Sequence, residues 1–170
     1  MGSMTHKMRR AWRHWRSSAR EAKQAFPDTT LDAIAEAIDL GERTHRGEVR
    51  LIVEKALPLE AAWEGVTNRQ RAIALFADYG VWDTEDNCGV LIYVNLAEHK
   101  IDIVADRGID RKIDAVTWQA VCRTMTDGFK QGRFHEATLA AVDRVNELLR
   151  QHFPASGERP NELPDRPVML

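Results

Sequence analysis

Apolar residues return at three- and four-residue steps through most of this chain, and in one stretch they run without a break. Met8, Trp12, Trp15, Ala19, Ala22 and Phe26 form one stripe, which predicts a single helix within 5–27, ended by Pro27. Leu31, Ile34 and Ile38 continue the period behind Thr29-Thr-Leu-Asp32, a suitable helix start, so a second helix is predicted to reach about Arg46 and stop at Gly47. After Pro58, Ala62 and Val66 share a face. Thr67-Asn-Arg-Gln70 has the spacing of a capping box, so a helix restarts beyond Gly65 and carries Ile73 and Phe76 inward. Two more stripes close the pattern: Trp118, Val121, Cys122, Met125 and Phe129, then Phe134, Thr138, Ala141, Val145 and Leu148.

Three segments break the helical period. Val49 to Glu54 is rich in β-branched residues and reads as a strand. Val90 to Val94 is wholly apolar, the mark of a strand buried on both faces. Ile101 to Ala105 follows the short polar turn 97–100 and makes a hairpin with the second strand. The order ααβααββαα predicts an α/β protein, a three-layer α/β/α sandwich with a small mixed sheet. The first two strands are joined by a helical crossover and should be parallel; the second and third should be antiparallel.

Four domain assignments follow. Residues 1–4 resemble a cloning scar, 5–27 form a basic amphipathic helix, and 28–153 form the α/β/α domain. Residues 154–170 hold four of the six prolines and are expected to be disordered.

Strand direction is what makes the chemistry interesting. Asp83, Glu85, Asp86 and Asn87 precede the second strand, while Asp106, Arg107 and Asp110 follow the antiparallel third. Both sets therefore meet at one rim of the sheet, with His45 and Glu48 at the start of the first strand beside them. Gathered carboxylates repel by about 1 kcal/mol per close pair in water, and a hard cation such as calcium or magnesium relieves that repulsion. A bound ion could hold phosphate, with Arg107 adding a charge-assisted contact. The alternative is a solvated loop whose acids cap turns and helices, and which pairs Arg107 with Asp106. His45 is expected at the surface, and Cys122 in the core.

Charge separates the N-terminus from the rest. The net charge is −2, yet residues 6–23 carry seven basic side chains against the single acid Glu21. That stretch suits an anionic membrane surface or a protein partner, with Trp12 and Trp15 at headgroup level. The favoured expectation is instead that the tryptophan stripe packs on the domain and leaves a solvated cationic face. Nucleic acid ranks lower because no recognition fold accompanies the helix. Nothing in the sequence gives an oligomeric state. With no apolar run of about 18 residues and no export signal, and with Cys88 and Cys122 at no paired spacing, a cytoplasmic location is expected.

Three segments carry a family likeness: 82–92, Val104-Ala-Asp-Arg-Gly-Ile109, and Phe129-Lys-Gln-Gly-Arg-Phe134. In this order they resemble the TPM-domain family over roughly 31–149. The resemblance implies an α/β/α sandwich. It also implies a divalent ion held by Asp83, Glu85, Asp86 and Asp106, and hydrolysis of a phosphate monoester; with the rim geometry, Asp106 and Arg107 are the expected catalytic residues. The family's Gly-x-Gly turn stands here as Asp106-Arg-Gly108. The competing role is a non-catalytic adaptor or assembly factor.

Overall fold

A computed structural model describes residues 2–170. Its elements are α1 (Gly2–Arg16), α2 (Ala19–Ala25), α3 (Asp28–Glu42), β1 (Glu48–Glu54), α4 (Leu59–Glu64), α5 (Asn68–Asp78), β2 (Gly89–Asn95), β3 (Lys100–Ala105), α6 (Arg107–Asp110), α7 (Ala115–Lys130), α8 (Phe134–His152) and β4 (Val168–Met169).

The sheet order is β3-β2-β1-β4. β1 and β2 run parallel, joined through α4 and α5, and β2 and β3 form an antiparallel hairpin. Alternation along the strands sorts two cores. Val49, Leu51, Val53, Val90, Ile92, Val94, Ile101 and Ile103 face α3, α7 and α8. Ile52, Leu91, Tyr93 and Val104 face Ala72 and Leu75 of α5. This is the expected three-layer sandwich, and every residue of β2 is buried, as its unbroken apolar run requires.

Local chemistry sets the boundaries. Thr67 and Gln70 close the predicted capping box on α5, and the Asp114 carboxylate accepts from the Thr117 amide at 2.7 Å to start α7. Gly65 ends α4 with φ at +85°, a left-handed conformation that favours glycine.

Three expectations are corrected. The helix predicted within 5–27 is two helices. Ser18 and Glu21 form a capping box that starts α2 afresh, while the Ser17 hydroxyl bonds back to the Arg13 carbonyl at 3.1 Å. The chain beyond Phe153, expected to be disordered, returns across the molecule and adds β4 to the outer edge of β1. His45 is buried, because its ring bonds Asn146 Oδ1 at 3.0 Å and accepts from the Gly47 amide at 3.2 Å.

Candidate functional site

The rim lies where β1 and β2 begin and β3 ends. The Glu48 amide donates to the Cys88 carbonyl at 3.0 Å, and the Asp106 amide donates to the Gly89 carbonyl at 2.9 Å. The two acidic segments are pressed together behind these bonds. A Cβ built on Gly108 would stand 2.6 Å from the Asn87 carbonyl oxygen and 3.3 Å from that of Asp86, so only glycine fits. Chain direction therefore brings the 83–87 loop and the 106–110 turn to one lip.

The side chains do not converge to the same degree. Asp83 and Glu85 are exposed, Asp86 is half-buried and Asp106 is buried. Asp106 Oδ1 accepts from the Arg107 amide at 2.6 Å and caps α6, while Oδ2 is buried without a hydrogen-bond partner. Arg107 is exposed. Asp86 is held by the Arg159 guanidinium, which also reaches Glu85 at 3.3 Å, and Arg46 approaches Asp86 at 3.7 Å. Glu162 accepts from the Glu85 amide at 2.9 Å. Burial raises the Cys88 thiol pKa, and Asp86 raises it further, so Cys88 is no thiolate nucleophile.

A divalent cation needs several carboxylate or carbonyl oxygens turned to one point. Among the described residues, no three His, Cys, Asp or Glu side chains are placed to hold one. Asp86, on the facing loop, already has a guanidinium on its carboxylate. The carboxylates of the rim as folded do not fit a metal.

Arg159 belongs to the C-terminal segment, whose proline content predicts disorder. Arg50, on β1, donates to the Pro164 and Arg166 carbonyls, the latter at 2.8 Å. Glu48 accepts from the Leu163 amide at 3.1 Å, and Leu163 enters the core beside Tyr93. Arg166 reaches Asp28 and Asp32 on α3. Glu42, whose carboxylate accepts from the Val49 amide at 2.7 Å, is pushed up to about 9 by burial, with Glu48 and Asp165 adding to the effect. The segment's contacts with Arg50, Glu48, Asp28 and Asp32 span more than 100 residues, and that of Arg159 with Asp86 spans 73, so no local signal announced them.

The second candidate is α1. Arg10 Nε donates to Glu98 Oε1 at 2.6 Å, and His14 Nε2 lies 2.8 Å from the same oxygen. His14 Nδ1 accepts from the Leu57 amide at 3.0 Å, which leaves the proton on Nε2 to donate to Glu98. Lys100 Nζ stands 3.0 Å from Glu98 Oε2. These contacts hold the Glu98 carboxyl well below its ordinary value, His14 contributing most. α1 thus packs on the domain through a polar face.

Its apolar face points outward. Met4, Met8, Trp12 and Trp15 are 64, 57, 56 and 72% exposed, which overturns the expectation that the stripe packs on the domain for its α1 part; Ala22 and Phe26, further along it, are buried. Arg9, Arg13 and Arg16 follow one another along the adjacent face, and the Arg16 guanidinium lies 4.6 Å from the centre of the Trp12 ring. No helix among the described residues is long and apolar enough to cross a membrane.

Comparison with known proteins bears on both candidates. A family model described as the TPM domain matches residues 20–148, which takes in the rim and leaves out α1 and the C-terminal segment. The solution structure of BA42 from the psychrophilic bacterium Bizionia argentinensis superposes with a TM-score of 0.73 at 26% identity, over 83% of this chain and 92% of that one. No curated protein matches.

Proposed function

The chain belongs to the TPM-domain family, and from that premise we propose that it is a peripheral adaptor whose domain docks on an anionic membrane surface through α1. One observation carries this reading: α1 turns Arg10 and His14 inward and Met8, Trp12 and Trp15 outward. A helix that needed its apolar stripe for folding would turn it the other way. Tryptophan and methionine flanked by arginines suit the boundary between headgroups and acyl chains, and anionic lipid complements the arginines. A hydrolytic role at the rim has less behind it, because Arg159 and Arg46 already neutralise Asp86.

The test is co-sedimentation with phosphatidylcholine vesicles, with and without phosphatidylserine. Seating each tryptophan would bury on the order of 100 Å², worth about 2–3 kcal/mol. Trp12→Ser with Trp15→Ser should therefore weaken partitioning by about 4–6 kcal/mol, roughly a thousandfold or more. Their side chains are exposed, so the circular dichroism should not change. Wild-type protein that stays in the supernatant with anionic vesicles would sink the reading.

A further inference from the structure

A cleft of about 730 Å³ opens between α1 and the junction of α4 with α5, lined by Lys7, Arg9, Arg10, Arg13 and Lys100 with Glu98 as its one carboxylate. We propose that this cleft binds a phosphomonoester dianion, presented as the headgroup of a lipid in the surface on which α1 docks. The lipid source rests on the docking reading above; the phosphate site does not.

The charge count favours a strongly anionic occupant. Glu98 is spent on Arg10, His14 and Lys100. Lys7, Arg9 and Arg13 line the same cleft, and no ion pair is shown for any of them among the described residues. Cations gathered without a counter-anion repel one another, and a phosphate relieves that repulsion. Guanidinium forks fit its oxygens in pairs. A phosphomonoester carries nearly two charges and three terminal oxygens, whereas a carboxylate or phosphodiester carries one charge and two oxygens.

The floor and the position of the cleft agree with this. Gly65 contributes no side chain, and a Cβ there would meet open space. Thr67 and Asn68 bring the positive N-terminal end of α5 to the wall. Arg9 and Arg13 also line a shallower groove with Trp12 and Arg16, so the cleft is continuous with the outward face of α1.

The full-length chain is tested against vesicles of phosphatidic acid or phosphatidylserine at matched surface charge, and against soluble glycerol 3-phosphate by amide chemical shifts. Wild type should prefer phosphatidic acid, and glycerol 3-phosphate should shift amides within 6–13 and 65–68. Lys7→Gln with Arg13→Gln should lose about tenfold of that preference. Arg16→Gln with Arg20→Gln removes the same charge outside the cleft and should weaken both lipids alike. Shifts at those amides without vesicle binding would uphold the phosphate site and overturn both its lipid source and the docking reading. Vesicle binding with no lipid preference, and no amide shifts, would overturn the cleft and leave the docking reading standing.

Discussion

Glu98→Gln is the sharpest test of how α1 is attached. The Glu98 side chain is 3% exposed and binds three cationic or polar partners at 2.6, 2.8 and 3.0 Å. Glutamine keeps the shape and one acceptor but removes the charge that all three share. Charge-assisted hydrogen bonds contribute about 1.5–3 kcal/mol each, and unpairing a buried ion costs about 3–5 kcal/mol in total because such terms do not add. That cost falls on the docking of α1, since the apolar cores lie elsewhere. A weakening of about 3 kcal/mol shifts the docked-to-undocked ratio by roughly 150-fold. The Leu57 amide reports it directly, because its acceptor is His14 Nδ1. In Glu98→Gln, hydrogen exchange at Leu57 should quicken by about two orders of magnitude, while amides in β2 stay protected. The same clamp should fail in acid. The folded carboxyl is depressed, so its contribution is complete above the ordinary carboxylate value of 4.5 and is lost as pH falls below it. Unchanged exchange at Leu57 in the variant would refute the clamp.

Three further outcomes are expected. Arg159→Ala should free Asp86 and Glu85 of their guanidinium and quicken hydrogen exchange at the Glu85 amide, which Glu162 of the same segment holds; unchanged exchange there would refute Arg159 as the segment's tie to the rim. Glu42 is raised to about 9, so its burial is cheap while it is protonated, and stability should fall as pH climbs from about 4.5 towards 9. The full shift bounds that loss at about 6 kcal/mol, and partial exposure brings it to about 2–3 kcal/mol. Urea melts across this range should flatten in Glu42→Gln, and an equally steep profile would exclude Glu42 as the cause. Gly89→Ala places a Cβ 1.8 Å from the Val81 carbonyl oxygen, and should lower the urea midpoint by an amount equivalent to about 3 kcal/mol; an unshifted midpoint would show that the loop yields freely.

The layered fold was legible because its cues are local. Period and capping spacing marked the stripes of α3, α5, α7 and α8, an unbroken apolar run marked β2, β-branched content marked β1, and the polar turn before it marked β3. The rim was legible from strand direction alone. The direction in which α1 faces was not. A stripe on a helical wheel says that an apolar side exists, and the partner of the opposite side decides its orientation; Arg10 and His14 found Glu98, 84 or more positions away. The C-terminal segment failed for a related reason. Its anchors are backbone carbonyls taken by Arg50, one inserted Leu163 and two strand residues, none of which alters composition. His45 misled because a buried imidazole needs two partners, and Asn146 lies 101 residues further on.

β4 has a consequence for solution behaviour. Its two residues pair with Ile52 and Val53, and the Leu170 carbonyl accepts from the Lys55 amide at 2.9 Å. Without that seal, β1 would present an open, strongly apolar margin to any other molecule offering a complementary strand. Trimming the last three residues should thus show itself first as oligomers that grow with protein concentration, before any loss of fold.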